Sequence, residues 1–158
     1  MPAVLFVCTA NICRSPMASV LFNAIIHEKG EEQSWKVESA GTWAAEGQPA
    51  AAGSQLAMES KGLDTSKHRS RRIKRELLES FDLILTMERS HKEALQFEFP
   101  DLADRIYLLS EMVDRISDVP DPIGGAYAEY EKTASVIDQI LLDGFNRIQE
   151  LASKAESE

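Results

Sequence analysis

The apolar positions of the first thirty residues change period once, and an irregular stretch lies between the two patterns. Ala3-Val4-Leu5-Phe6-Val7 is a continuous apolar run, the pattern of a strand buried on both faces. Met17, Val20, Leu21, Ala24 and Ile25 then recur at helical spacing as far as Gly30, behind Ser15 and Pro16, which suit a helix start. Further on, the pattern predicts a strand from Trp35 to Ser39, a loop through Pro49 and a helix from about Ala51 to Lys61 closed by Gly62. A short helix near Lys74 to Glu79 precedes a strand from Asp82 to Thr86. A helix from Glu88 to Phe97 stops before Pro100, and Arg105 to Leu109 reads as a fourth strand. After a loop from Asp118 to Gly125, the positions Tyr127, Tyr130, Ala134, Ile137, Leu141, Phe145, Ile148 and Ala152 mark one long amphipathic helix. Strands alternating with helices predict a parallel sheet covered on both faces, with ligands at the carboxyl ends of the strands. The loop after the first strand lies at such an end.

Composition narrows the picture. No repeat or linker divides the 158 residues, so they read as a single domain, 1–158, large enough for a sizeable core. No apolar run approaches the roughly 20 residues that cross a bilayer, and the first apolar stretch is too short for a signal peptide. The expectation is a cytoplasmic protein that does not bind a membrane. A net charge of −9 argues against nucleic acid, although a local site can still attract one phosphate. Cys8 and Cys13 are too few for a disulfide framework, so reactivity or burial must explain them. No metal-ligand cluster and no Gly-x-x-x-x-Gly-Lys-Ser/Thr loop occurs, and no cofactor is expected. The run Arg69, Arg71, Arg72, Lys74 and Arg75 is the one strongly basic patch, a solvated face that could also dock acidic phosphoproteins. His27 and His91 read as surface residues of helices.

The chemistry concentrates in Cys8-Thr9-Ala10-Asn11-Ile12-Cys13-Arg14-Ser15. A loop that turns into a helix N-terminus points backbone N–H groups inward, here those of Thr9, Ala10, Asn11, Ile12 and Cys13, and such a nest holds an anion. Arg14 adds a planar fork for two phosphate oxygens. Cys8 at the floor of the nest feels the same positive potential, which favours its thiolate and brings sulfur and phosphorus together.

The stretch from Val4 through Cys8, Cys13, Arg14 and Pro16 to Ala18 resembles the signature of the low-molecular-weight protein-tyrosine phosphatases, of the bacterial type. The likeness continues through Ser39-Ala40-Gly41-Thr42, His68-Arg69-Ser70-Arg71, Asp82-Leu83-Ile84-Leu85 and Asp121-Pro122, in that family's order. The resemblance implies a three-layer α/β fold whose four-stranded parallel sheet has the order 2-1-3-4. It makes Cys8 the nucleophile, Arg14 the clamp on the phosphoryl oxygens and Ser15 a hydrogen-bond donor to the Cys8 thiolate. Asn11, Ser39 and His68 become supports of the loop. Ala10 stands where many members carry Gly, at a cost on the order of 1 kcal/mol if the position needs a positive φ. On composition alone Asp121 is a solvated turn residue; the match to the family's Asp-Pro loop makes it the general acid, with Asp118 as the fallback. The resemblance also pairs Cys8 with Cys13 as a reversible disulfide that guards the nucleophile, against the plainer reading of Cys13 as an inert buried thiol.

By position, the substrate is walled by Ile12, Trp43 and Ile123, although Trp43 could equally be core. Tyrosine-specific relatives commonly carry an aromatic residue after Asp-Pro, and Ile123-Gly124-Gly125 resembles the Phe-Gly-Gly of bacterial protein-arginine phosphatases. Those relatives use Thr in place of Ile12, so the catalytic loop itself favours phosphotyrosine. The expected partners are phosphotyrosine proteins, met by a monomer or at most a weak dimer. Arsenate reduction would need cysteines beyond Cys13, and none follows. A non-catalytic phosphate or thiol sensor is opposed by the retention of nucleophile, Arg, Ser and acid together.

Overall fold

The first apolar run forms β1 (Ala3–Cys8), buried along its whole length, and its period-two alternation divides the core. The computed structural model describes residues 1–154. Beyond β1 the order is α1 (Arg14–Glu28), β2 (Lys36–Gly41), α2 (Ala52–Glu59), α3 (Arg75–Glu79), β3 (Leu83–Thr86), α4 (Arg89–Glu98), β4 (Ile106–Leu108), α5 (Tyr127–Asp143) and α6 (Phe145–Ser153). All four strands are parallel in the order β2-β1-β3-β4. Val4, Phe6, Leu83 and Leu85 pack toward α1, α5 and α6, whereas Ala3, Leu5, Val7 and Ile84 pack toward α3 and α4. The result is the three-layer α/β arrangement. Among the described residues no helix is long and apolar enough to cross a membrane.

Three differences from the sequence pattern have physical causes. The terminal helix is two helices, broken at Gly144, although the apolar spacing runs on from Leu141 to Phe145 and Ile148. A Cβ on Gly144 would stand 2.8 Å from Cβ of Met112, so the glycine lets the chain pass close to Met112 and turn. β2 begins and ends later than its apolar residues suggest, because Trp35 leaves the sheet to join Phe22 and Phe145 in an aromatic cluster. The small Ala40-Gly41, expected in the following loop, instead completes the pairing with Val7 and Cys8. β4 is only three residues long, with 3-10 turns at Pro100–Arg105 and Leu109–Val113 on either side.

Candidate active site

β1 ends at Cys8, paired in register with Gly41, and the chain then loops for five residues before α1 starts at Arg14. The carbonyls from Cys8 to Cys13, that of Ala10 apart, are taken from outside the loop. Thr42 N–H donates to Cys8 O (3.0 Å), Trp43 N–H to Thr9 O (2.9 Å) and Ala51 N–H to Ile12 O (2.8 Å). His68 Nε2 lies 2.6 Å from Asn11 O, and the Ser54 hydroxyl donates to Cys13 O at 3.3 Å. The amides of Thr9 to Cys13 donate to no acceptor among the described residues. Carbonyls bound outward and amides left free make a cradle for an oxyanion, seated on the N-terminus of α1.

Asn11 is the loop's left-handed residue, with φ 58°, a conformation Asn tolerates better than most residues. Ala10 is not left-handed, so the cost that a positive φ would carry there does not arise. The Asn11 side chain is oriented by the Arg71 amide, which donates to Oδ1 at 3.0 Å. Its Nδ2 therefore donates to Ser39 Oγ (2.9 Å) and Ser15 Oγ (2.8 Å). Ser15 Oγ, which accepts from Asn11, lies 3.0 Å from Cys8 Sγ, within reach to donate its proton to a thiolate there. The support reaches from β2 through the loop to the sulfur.

Arg14 is 1% exposed. Its Nη1 donates to Glu88 Oε2 (2.8 Å) and to Val119 O (2.7 Å), which anchors the loop carrying Asp121. On the other edge, Nη2 lies 3.4 Å from Thr9 Oγ1 and 3.6 Å from Asp121 Oδ2, and the buried Nε has no partner. A guanidinium fixed along one edge thus presents the Nε–Nη2 fork that suits two oxygens of one anion.

Cys8, Ala10, Ile12, Arg14, Asp121 and Ile123 line a common cavity of about 240 Å³, together with Thr9 and Cys13. Asp121 Oδ1 accepts the Ile123 amide (3.1 Å), leaving Oδ2 near Arg14. Asp118 is engaged elsewhere, accepting the Arg89 amide at 2.8 Å at the start of α4. Burial, and then the negative charge of Asp121, push the Cys13 thiol up to about 11, which keeps it protonated near neutrality. Trp43 is 73% exposed and lies outside this cavity, in an adjoining groove where the Arg72 guanidinium stacks on its ring at 4.7 Å.

Two residues of the site were not anticipated. His91, read as a surface residue, is 5% exposed. Its Nδ1 accepts the Glu88 amide at 3.2 Å, so Nε2 carries the proton and donates to Thr9 Oγ1 at 2.8 Å. Glu88 in turn caps α4 and holds Arg14. The available signal was their three-residue spacing at a helix start, the spacing of a capping box. His27 is exposed as expected.

The model of the "Low molecular weight phosphotyrosine protein phosphatase" family matches residues 3–155. A protein-arginine-phosphatase of Geobacillus stearothermophilus is 32% identical over 98% of this chain and 97% of its own. The low molecular weight protein-tyrosine-phosphatase Ptp of Acinetobacter johnsonii is 31% identical over 89% of this chain and 93% of its own. Among solved structures, the low molecular weight protein tyrosine phosphatase from T. tengcongensis superposes with a TM-score of 0.88 at 38% identity, covering 93% of this chain and 99% of that one.

Proposed function

The chain belongs to the low molecular weight phosphotyrosine protein phosphatase family of cysteine-dependent phosphatases, and from that premise we propose that it hydrolyses phosphotyrosine in proteins through a phosphocysteine on Cys8. The observation that carries the residue assignment is the unpartnered Nε of buried Arg14 in the cavity shared by Cys8 and Asp121. The thiolate attacks phosphorus while Asp121 gives its proton to the departing phenol oxygen, which would otherwise leave as a phenolate of conjugate-acid pKa near ~10. Arg14 and the amides of Thr9, Ala10, Asn11, Ile12 and Cys13 hold the three equatorial oxygens as their charge spreads. Asp121, now a carboxylate, takes a proton from water as that water attacks phosphorus. The S–P bond breaks, and the Ser15 hydroxyl stabilises the returning thiolate. Asn11, Ser39 and His68 act through the loop, as positioning residues. Cys13 guards the sulfur by forming a disulfide with Cys8 once Cys8 has been oxidised to the sulfenic acid. In this reading the enzyme is a cytoplasmic monomer that needs no cofactor and binds neither nucleic acid nor membrane.

Ile12 and Ile123 give the cavity two apolar walls, which favour an aromatic ring over a guanidinium. A second reading, a protein-arginine phosphatase, is favoured by Asp121, whose carboxylate can accept from guanidinium N–H groups, and by the arginine-specific relative that spans nearly the whole chain. Phosphotyrosine and phosphoarginine peptides of one sequence, compared by kcat/KM, decide between them. Faster release from phosphoarginine overturns the tyrosine assignment, and Cys8→Ser must abolish whichever activity is found.

A further inference from the structure

The groove beside the active cavity is built differently from the cavity itself. It holds about 430 Å³ and is lined by Thr9, Trp43, Arg72, Ile73, His91 and Glu98, among others. Thr9 belongs to both spaces, so a polypeptide whose phosphorylated side chain enters the cavity has its adjacent residues at the mouth of the groove. Trp43 offers an exposed indole face there. A large apolar surface left open next to a reaction centre is a contact surface in waiting.

Arg72 gives that surface its chemistry. Of its basic neighbours, Arg71 pairs with Glu38 at 2.8 Å and Arg75 pairs with Glu79 and Asp101. The guanidinium of Arg72 makes no ion pair among the described residues; it lies over the Trp43 ring at 4.7 Å, and only its backbone amide binds Glu46. Contact with the indole holds the guanidinium at the groove, so a carboxylate meets a donor with less freedom to lose. Two acids line the groove, and neither forms an ion pair with Arg72 among the described residues. Glu88 is turned to Arg14 and His91, and Glu98 approaches from α4.

We propose that the Trp43–Arg72 groove seats the residue flanking the phosphorylated one in the substrate protein, and that Arg72 selects an acidic side chain there. This rests on the reading of the chain as a protein phosphatase acting at Cys8, and it adds a sequence preference that the cavity alone does not impose. Its basis is the continuity of the two spaces through Thr9 and the complementarity between an uncommitted guanidinium and a carboxylate.

The test uses phosphopeptides differing only by Glu or Lys at one of the two positions on either side of the phosphorylated residue, made in phosphotyrosine and phosphoarginine versions. Each kcat/KM is divided by that for p-nitrophenyl phosphate, which has no flanking residue, so a general loss of activity cancels. In whichever version is turned over, the intact enzyme should favour Glu over Lys at one position by about fivefold, the effect of a well-formed exposed ion pair. Arg72→Ala should level that ratio and Arg72→Glu should invert it. An intact enzyme indifferent to Glu and Lys, or an Arg72→Glu variant that keeps the original ratio, overturns the proposal. Failure of reduced intact protein to turn over p-nitrophenyl phosphate sinks the phosphatase reading instead.

Discussion

Replacing Gly41 by Ala tests how tightly the sheet holds the phosphate loop. Gly41 ends β2 opposite Cys8, and its backbone φ is not in the left-handed region, so an alanine there meets no conformational penalty of its own. The difficulty is space. An added Cβ would lie 2.5 Å from Thr9 O, 3.0 Å from Asn11 N and 3.0 Å from Cβ of Ala44. Two of these three atoms are loop backbone, and Thr9 O is held by the Trp43 amide, so no side-chain rotation relieves the clash. The carbonyl must retreat by about 1 Å to reach ordinary van der Waals separation. It carries with it the loop that places the amides of Thr9 to Cys13 around the anion. A misplacement of about 1 Å at a reaction centre costs on the order of 10²-fold in rate, and overpacking costs typically ~1–3 kcal/mol in stability. The expected result is a folded Gly41→Ala protein whose kcat/KM for p-nitrophenyl phosphate falls about 10²-fold, with weaker inhibition by phosphate. Urea unfolding reports the stability loss separately. Activity within threefold of the original at unchanged stability would refute the claim that β2 fixes the loop by direct backbone contact.

Two further outcomes follow from the same geometry. Asp121→Asn should lower kcat for phenyl phosphate by roughly 10²–10⁴-fold while leaving inhibition by phosphate within a few-fold, whereas Asp118→Ala should mainly loosen the start of α4 and lower the melting temperature; the reverse pattern in steady-state kinetics would move the acid to Asp118. Burial lowers the pKa of both His68 and His91 below the usual histidine value of about 6.5, so the unfolded chain takes up protons first as pH falls through that value. Stability from these groups is complete above pH ~6.5 and declines below it, and His91→Gln should lose less stability than the original protein between pH 7.5 and 5.5 in urea titrations. An equal or larger loss in the variant would contradict the burial of a neutral His91.

How much was legible in the sequence depends on whether the cause is local. β1 and α1 follow from a continuous apolar run and a clean helical period, and the anion nest follows from the irregular stretch between them. The break at Gly144 was hidden because the apolar spacing continues across it; its cause is Met112, a contact over thirty residues away in the chain. The end of β2 was hidden because Ala40-Gly41 has turn composition, and Gly41 is small for the sake of the loop it touches. Asn11, Ser39 and His68 became visible only through family resemblance, since side chains 28 and 57 residues apart carry no spacing signal. His91 misled for the opposite reason. A polar residue in the first turn of α4 looks solvent-facing by periodicity, but the carboxyl end of the sheet closes over that turn.

The pairing of Arg14 with Glu88 bears on how a protein of net charge −9 can hold a phosphate dianion at all. A lone guanidinium at 1% exposure would be severely penalised by desolvation, and Glu88 offsets that penalty along with the Val119 carbonyl. The same pairing removes much of the net positive charge that would otherwise attract the substrate. What remains for the anion is directional: one fork edge of Arg14 and the unpaired amides at the start of α1. These dipoles are fixed before the substrate arrives, by carbonyl bonds to Thr42, Trp43, His68 and Ala51 on the far side of the peptide units that carry the Thr9, Ala10, Ile12 and Cys13 amides. Preorganised donors of this kind favour the spread charge of the transition state without costing reorganisation at the moment of reaction. The site therefore depends less on its total charge than on the stiffness of a five-residue loop, and this is why small changes at Gly41 or Asn11 should weigh more heavily than the loss of surface lysines.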